Sequence, residues 1–465
     1  MKISKLIGYI FAVCLISFVF SFRVEAATIN AANCSSSAVQ TAVNSASNGD
    51  TVIIPNGSCT WTSGLTISKQ ITIQGANVPT RTHTATDGTT IYHNAGSSVL
   101  FAFTIGSSYT TTIANLRLLA STSTPGTFVT MSGTGNPPLM HDIYFDLPMG
   151  TDLVVDWDVV GGVIWNCTFE SITSGGAGNC ADGDTANDNI RHLPNSNWDS
   201  ADTTGTLDTT GTANLYIENC IFINCPTYDC DSGCRLVFRH NNVQSPTTGG
   251  SHGPTSTTGG RYTEIYDNIF NIADADVDVQ RYNWMRGGSG LFTGNSFQAN
   301  TTSCHGARST LQFIVESLTR TTSHGCCTSW QCFHQPGTGA NGTVQSPSLL
   351  SPSQTPDDTY QMSDPVYIWG NSGTGNTVAL LTSTNDDSPD QCGNGLLSAN
   401  FFVSGRDYFV STDSSAAKPG WVRYACPHPL TGLKGSCDPS TPGTAGYNAG
   451  SSVGAPSPPQ NLSIQ

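Results

Sequence analysis

One short pattern of apolar and polar positions recurs along the middle of the chain. An apolar residue is followed by two variable positions, Asn or Cys, one more variable position, and then Phe or Val. The five copies cover residues 164–169, 217–222, 238–243, 265–270 and 292–297. Their Asn or Cys positions are 53, 21, 27 and 27 residues apart. The spacing predicts a regular structural repeat, with one extra coil inside the first interval.

A repeat of this length holds one strand pattern and one turn pattern. It is too short for a strand–helix–strand unit and is typical of one coil of a β-solenoid. Stacked coils repeat about every 4.8 Å, so equivalent residues form ladders. We expect Asn241, Asn268 and Asn295 to form one ladder, with Cys167 and Cys220 continuing it as small buried residues. The pattern predicts an all-β fold, a right-handed parallel β-helix (single-stranded solenoid).

Weaker patterns extend the solenoid toward its N-terminal end. Strand-like alternation occurs at residues 51–54, 65–67, 71–75, 113–118 and 143–145. Residues Ser36 to Ala46 carry Ala and Val on one face, which predicts an N-terminal helical cap over the open first coil. The expected organisation is a β-helix over 27–335, a loop-rich C-terminal part of the same domain or a cap over 336–440, and a linker-like tail over 441–465.

The N-terminus has the features of a signal peptide over residues 1–26. Lys2 and Lys5 precede an apolar run from Leu6 to Phe22, and small residues up to Ala26 provide a cleavage site. Nothing later in the chain is apolar for the roughly 18 residues that a membrane helix needs. We expect export without membrane insertion, and a secreted or cell-surface location.

The chain contains 16 Cys, a density that in an exported protein indicates disulfides. The local candidate pairs are Cys34–Cys59, Cys230–Cys234, Cys426–Cys437, and some pairing within Cys304, Cys326, Cys327 and Cys332. Zinc at Cys230 and Cys234, or at Cys326 and Cys327, is the alternative, but no second ligand pair follows at zinc-finger spacing.

Composition agrees with short strands and many turns, because 48 residues are Gly and only 11% are charged. The formal net charge of −15 argues against nucleic acid or an anionic membrane surface as a partner. It also disfavours a uniformly anionic polysaccharide, unless basic residues gather locally.

The runs at 48–55 and 65–75, together with the five repeats, resemble secreted right-handed parallel β-helix proteins of the pectate-lyase-like superfamily. The resemblance covers roughly residues 28 to 300. It implies a carbohydrate-active protein of this fold. Lyases, hydrolases, phage depolymerases and surface proteins share the architecture, so the chemistry has to be argued from a site.

Strand alternation separates the two faces of the repeated strands. If the first apolar residue of each copy points inward, its neighbours form an exposed patch on consecutive coils. The patch consists of Tyr216, Glu218, Arg239, Glu264 and Tyr266. Aromatic faces stack on sugar rings and Arg binds carboxylates or hydroxyls, so we predict substrate binding there. The alternative is an ordinary cross-strand ion pair with tyrosines covering the sheet.

A second cluster lies in the loops of the same coils. His252, Arg261 and Arg286 fall on successive coils and are the candidate catalytic residues. A polysaccharide lyase needs a cation to neutralise a uronate carboxylate and a base to remove the C5 proton. Arg261 or Arg286 would serve as the cation and His252 as the base. The alternative for His252 is an ordinary surface histidine in a Gly-rich loop.

Oxygen-rich spacing makes calcium the candidate cofactor. Asp182, Asp184 and Asp188 are the predicted ligands. The group Asp274, Asp276 and Asp278 is a second possibility, or simply a solvated strand face. Neither group matches an EF-hand loop.

The leading functional hypothesis is a secreted polysaccharide lyase acting by β-elimination on a uronate-containing polymer. A glycoside hydrolase ranks lower, because His252-Gly253 shows no carboxylate partners in the sequence. The alternative from another class is a non-catalytic extracellular protein that binds surface glycans as an adhesive or matrix scaffold. Oligomeric state is left open.

Overall fold

The computed structural model describes residues 26–121, 126–148, 153–172, 188–194, 208, 210–223, 225, 227–244, 249–252, 259–272, 281–299, 311–316, 336–341, 361–374, 378–383, 404–424, 426–432 and 437. The predicted tail, and the predicted signal peptide up to residue 25, lie outside these residues. Three long sheets of parallel strands wind around one core, which confirms the all-β parallel β-helix.

The sheets, numbered I to III, contain 12, 10 and 10 strands in the described part of the chain. Sheet I contains β1 (Thr28–Asn30), β2 (Thr51–Ile54), β5 (Thr72–Gly75), β8 (Thr112–Ala114), β11 (Leu139–His141), β14 (Gly162–Trp165), β17 (Leu215–Glu218), β20 (Arg235–Arg239), β23 (Tyr262–Tyr266), β26 (Ser289–Thr293), β31 (Val366–Trp369) and β34 (Tyr408–Ser411).

Sheet II contains β3 (Gly57–Trp61), β6 (Thr89–His93), β9 (Leu116–Ala120), β12 (Tyr144–Pro148), β15 (Thr168–Ile172), β18 (Ile221–Ile223), β21 (Asn242–Gln244), β24 (Ile269–Ile272), β27 (Ser296–Ala299) and β32 (Ser372–Thr374). Sheet III contains β4 (Leu65–Ile67), β7 (Phe101–Ile105), β10 (Val129–Gly133), β13 (Leu153–Asp158), β16 (Asp188–His192), β19 (Tyr228–Cys230), β22 (Gly250–Ser251), β25 (Arg281–Met285), β28 (Leu311–Glu316) and β33 (Val378–Ser383). A separate antiparallel pair joins β29 (Thr338–Asn341) to β30 (Gln361–Ser363).

The predicted N-terminal cap is helix α1 (Ser36–Ser45), which buries Val39, Ala42 and Val43. Ser35 is its N-cap and accepts a hydrogen bond from the amide of Ala38, which satisfies a donor that the first helical turn leaves unpaired. Two short 3-10 helices, Ser414–Ala416 and Pro429–Thr431, lie near the C-terminus. Among the described residues, no helix combines the length and the apolar character that crossing a membrane requires.

Stacked aromatic rings form part of the core, because like residues repeat at the same position in each coil. The rings of Phe145, Phe169 and Phe222 lie on consecutive strands of sheet II, with centroid separations of 4.7 and 5.0 Å. All three side chains are fully buried. Such stacks contribute dispersion energy and keep the coils in register.

The predicted asparagine ladder is confirmed. Asn241 donates through its backbone amide to Oδ1 of Asn268 at 2.9 Å, and Nδ2 of Asn268 donates to Oδ1 of Asn295 at 2.9 Å. The ladder continues to Asn371, whose Oδ1 accepts from Asn295. The predicted continuation through buried cysteines is also confirmed at Cys220, whose amide donates to Asn241.

A one-residue turn in the left-handed region precedes each ladder position, between sheets I and II. Asn219, His240, Asp267 and Gly294 occupy this turn with φ of 56°, 54°, 55° and 67°. Asn, Asp and Gly tolerate this conformation better than other residues. The recurring turn fixes where the chain leaves sheet I, and it therefore sets the register of the outward side chains.

The expected extra coil between Cys167 and Cys220 is wrong. Strand β14 pairs directly with β17, with Trp165 opposite Glu218. The 53-residue interval is a single coil, because β15 and β16 fall within it and pair directly with β18 and β19 of the next coil. Long insertions in surface connections are tolerated because loop-closure entropy grows slowly with length.

Three predicted disulfides are confirmed: Cys34–Cys59, Cys230–Cys234 and Cys426–Cys437. The bond between Cys230 and Cys234 removes the zinc alternative for that pair. The remaining predicted group, Cys304, Cys326, Cys327 and Cys332, lies outside the described residues.

Candidate functional site

The predicted patch on sheet I has the expected register. Glu218, Arg239 and Tyr266 lie directly opposite one another on β17, β20 and β23, and Tyr216 and Glu264 belong to the neighbouring column. The expected exposure of the patch is wrong. The exposed fractions are 2% for Tyr216, 1% for Glu218, 0% for Arg239, 7% for Glu264 and 0% for Tyr266.

A C-terminal segment covers this face. We call residues 414–424 and 426–432 the C-terminal cover. Its side chains Ala416, Trp421, Tyr424 and Leu430 pack on the outer face of sheet I and form a second apolar cluster there. The patch is therefore an internal interface between the β-helix and its own C-terminal segment.

Arg239 holds the C-terminal cover in place. Its Nε and Nη2 donate to Oε2 of Glu218 at 2.9 and 2.6 Å, and its Nη1 donates to the hydroxyl of Tyr266 and to the backbone carbonyl of Tyr424. The other oxygen of Glu218 accepts from the amide of His428 at 2.8 Å. One fully buried ion pair thus joins two sheet I strands to two positions of the cover.

Arg261 is also committed to this interface. Its side chain is 1% exposed, and its Nη1 lies 3.2 Å from Oδ2 of Asp364. Lys418 of the cover reaches the other oxygen of Asp364 at 3.5 Å. The guanidinium of Arg261 is therefore buried and paired with Asp364, on a different face from His252, and its catalytic role stays a prediction.

The outer face of sheet III carries a different group of ionisable side chains. It spans five consecutive coils, on β13, β16, β19 and at the C-terminal ends of β19, β22 and β25. We call this group the sheet III cluster, and it consists of Asp156, Asp158, Arg191, Asp229, Asp231, His252 and Arg286.

Register places these residues in two neighbouring columns. Asp156, Arg191 and Asp229 lie opposite one another on adjacent strands. His252 and Arg286 each follow directly after a strand of sheet III, and the backbone amide of Arg286 donates to the carbonyl of Ser251 at 3.0 Å. The structure therefore brings two of the three predicted catalytic residues, His252 and Arg286, onto neighbouring coils.

A carboxyl pair lies at one end of the sheet III cluster. Asp156 and Asp158 flank the buried Trp157, so both point outward from the same strand. Arg191 donates from Nε and Nη2 to the two oxygens of Asp156 at 3.2 and 3.0 Å. Burial, followed by the neighbouring charge of Asp156, raises the pKa of Asp158 to about 6. The pair therefore holds a carboxylic acid at mildly acidic pH.

An imidazole lies at the other end of the cluster. Nε2 of His252 is 3.2 Å from Oδ1 of Asp229, and its Nδ1 is 4.0 Å from Oδ2 of Asp231. Burial, followed by the positive charge of Arg286, lowers the pKa of His252 to about 4. The side chain keeps 31% of its surface exposed. At neutral pH this imidazole is uncharged, partly exposed and faces two carboxylates, so a ring nitrogen can accept a proton, with the weak basicity that a pKa of about 4 gives it.

The predicted calcium ligands fall outside the part of the structure that is described. Asp182 and Asp184, like Asp274, Asp276 and Asp278, lie outside the described residues, and the side chain of Asp188 at the start of β16 does as well. In the part of the chain that is described, no group of three or more His, Cys, Asp or Glu has the geometry to hold a metal ion. Calcium stays a prediction.

Five residues of the sheet III cluster were missed by the sequence reasoning: Asp156, Asp158, Arg191, Asp229 and Asp231. The available signal was an Asp on each side of an inward residue, in Asp-Trp-Asp at 156–158 and in Asp-Cys-Asp at 229–231. The repeat that revealed the register of sheet I ends before sheet III. The repeat therefore defines which side chains point outward on sheets I and II, but not on sheet III.

The fold and the sheet III cluster together define a class of protein: a parallel β-helix with an acid–base cluster on the outer face of one sheet. No protein-family model, curated protein or solved structure matches the chain.

Proposed function

We propose that this protein is an exported carbohydrate-active enzyme that cleaves a polysaccharide bound across the outer face of sheet III. The proposal includes membership of the pectate-lyase-like superfamily, on the basis of the repeats. The observation that carries it is the sheet III cluster, in which an acid, a neutral imidazole and two guanidinium groups share one accessible face. Three disulfides are compatible with an extracellular location.

Hydrolysis of a glycosidic bond is the chemistry that the cluster supports best. Protonated Asp158 would donate a proton to the leaving oxygen, and an oriented carboxylate such as Asp229, or His252 beside it, would activate water. The carboxylates next to His252 remove the objection that the sequence raised against a hydrolase. The sequence alone does not show that Asp229 and Asp231 face His252, because they lie on the preceding coil.

The charge of the cluster favours an uncharged or sparsely charged polymer. The cluster contains four carboxyl groups and two guanidinium groups. The guanidinium group of Arg191 already donates to Asp156. A polymer with a carboxylate on every sugar would meet this acidic face at a Coulombic cost. The same polymer bound through calcium would avoid that cost.

β-Elimination is the second candidate, because His252 and Arg286 lie side by side. A neutral imidazole is available to remove the C5 proton of a uronate, and Arg286 is close enough to lower the pKa of His252. The guanidinium of Arg286 would neutralise the uronate carboxylate. Protonated Asp158 would then serve the leaving group.

The test is a digestion of neutral and uronate-containing polysaccharides, with and without calcium. Reducing ends without ultraviolet absorbance indicate hydrolysis, and an absorbing unsaturated product indicates elimination. We expect D158N to lower kcat/KM by about 100-fold or more, since general acid catalysis contributes that much. The matched control is D146N, because Asp146 is a half-buried carboxyl with a raised pKa on sheet II.

Two results would contradict the proposal. One is a cleavage activity that D158N and H252A both leave intact. The other is a wild-type protein that cuts no polymer but is retained on a glycan column, which would favour the non-catalytic adhesive or matrix protein.

A further inference from the structure

The disulfide Cys230–Cys234 lies next to the sheet III cluster. It joins the last residue of β19 to the residue before β20, and so closes the turn that carries the chain from sheet III to sheet I. Asp229 and Asp231, the two carboxylates that face His252, flank Cys230 in the sequence. Both cysteines are fully buried, so the bond is anchored in the core while the carboxylates point outward.

Backbone hydrogen bonds hold this turn together with the disulfide: the amide of Cys234 donates to the carbonyl of Asp231 at 3.0 Å, and the amide of Gly233 donates to the carbonyl of Gly259 at 2.8 Å. Ser232 and Gly233 are both in the left-handed region, with φ of 51° and 75°, and a non-glycine residue there is strained. Asp231 accepts from the amide of Ser232 at 2.6 Å, which aims its carboxylate across the turn. A disulfide that spans this turn fixes the direction in which Asp231 leaves the strand.

The backbone of His252 depends on the same turn. Its amide donates to the carbonyl of Cys230 at 2.8 Å, and its own carbonyl accepts from Gly260 at 2.8 Å. The amide of Arg261 donates in turn to the carbonyl of Cys234 at 2.9 Å. The two halves of the disulfide therefore hold both ends of the connection on which His252 lies.

We propose that the Cys230–Cys234 disulfide is a positioning element of the candidate site, which holds Asp229 and Asp231 against His252. A disulfide that closes so short a loop removes little chain entropy from the unfolded state, so its main effect is local. Cys230 and Cys234 act on the imidazole through the two carboxylates and touch no substrate. The activity readout of this inference rests on the proposed function.

The groups that face His252 define the expected change. Asp229 and Asp231 come from the preceding coil and Arg286 from the following one. Without the disulfide, the turn opens to water and the carboxylates move away from a fixed geometry. Movement of the carboxylates away from the imidazole would by itself lower the pKa of His252, whereas exposure to water would raise it. Because burial is the main cause of the lowered pKa, we expect a net rise toward its ordinary value.

The experiment compares C230A/C234A with C34A/C59A, a control that removes a disulfide far from the cluster. In C230A/C234A we expect kcat to fall at least 10-fold with KM nearly unchanged, the thermal midpoint to stay near that of the wild type, and the histidine NMR titration assigned with H252N to shift upward. In the control we expect the thermal midpoint to fall, with kcat and the titration of His252 unchanged.

Unchanged kcat and unchanged titration of His252 in C230A/C234A would overturn the inference and leave the bond as a structural staple. If the wild type cleaves no polysaccharide, the proposed function fails, but the titration still decides the positioning role. A titration that shifts equally in both double variants would also overturn it, since the effect would then be global.

Discussion

Removal of the Arg239 guanidinium is the sharpest test of how the C-terminal cover is held. The perturbation is Arg239→Met, which keeps the length of the side chain and removes its charge. Glu218 then remains 1% exposed with no cationic partner. The hydroxyl of Tyr266 and the carbonyl of Tyr424 each lose a donor as well.

The magnitude follows from the cost of an unpaired buried charge. Breaking a buried ion pair by removing one partner costs about 3–5 kcal/mol. The double variant Glu218→Gln with Arg239→Met leaves no charge, and the Gln carbonyl can still accept from the amide of His428. Both variants lose the two hydrogen bonds that the guanidinium donates to Tyr266 and Tyr424, at about 1.5–3 kcal/mol each, but only the single variant also leaves a buried carboxylate unpaired. The double variant should therefore be more stable than the single one.

The assay is urea unfolding, together with hydrogen exchange of the backbone amides in the C-terminal cover. Arg191→Met is the control, because it also breaks an Arg–carboxylate ion pair, here with Asp156, but with 39% of the Arg side chain exposed. An exposed pair contributes about 1 kcal/mol or less. The reasoning is refuted if Arg239→Met lowers the free energy of unfolding by no more than Arg191→Met does. It is also refuted if Arg239→Met leaves hydrogen exchange in the C-terminal cover unchanged, because Arg239 would then not hold the cover in place.

Five further outcomes are expected. Asp158→Asn should raise the free energy of unfolding at pH 7 by about 1–3 kcal/mol and change it little at pH 4, because the fold disfavours the ionised carboxyl. Urea unfolding of the variant and the wild type at both pH values measures the two differences. For the same reason, cleavage that needs protonated Asp158 should decline as pH rises through about 6. Asn268→Ala should lower the unfolding free energy by about 1–3 kcal/mol in urea unfolding, because it leaves ladder groups unpaired. Phe222→Ala should lower it by about 3–5 kcal/mol, since it opens a cavity in the aromatic stack, and C34A/C59A by about 3 kcal/mol.

Much of the fold could be predicted because each coil repeats the same physical problem. An apolar position, a one-residue left-handed turn and an Asn that bonds to the next coil return at a regular spacing. Val39, Ala42 and Val43 likewise mark the capping helix by periodicity alone. Three disulfides were predictable because their partners are close in sequence. That the interval between Cys167 and Cys220 holds a single coil could not be predicted, because an insertion in a connection has the same length as a missing repeat.

The candidate site was predicted less well, for a reason that concerns sequence distance. The alternation of side chains along β20 determines that Arg239 points outward. Its burial depends on the C-terminal cover, which contacts it through Tyr424, 185 residues later in the chain. The neighbours of His252 lie one coil before and one coil after it, and the lengths of the intervening loops decide which residues face it. His252 and Arg286 were found, whereas their carboxylate partners were not.

The sequence by itself determined the coil, the ladder and the side of each strand that faces the core, because these follow from local periodicity. The tertiary structure alone decided which outer face is covered and which stays open. The C-terminal cover buries sheet I around Arg239, while the face of sheet III keeps part of His252 and Arg191 in contact with solvent. Burial depends on what packs over a surface, and that surface is supplied here by a segment remote in the chain.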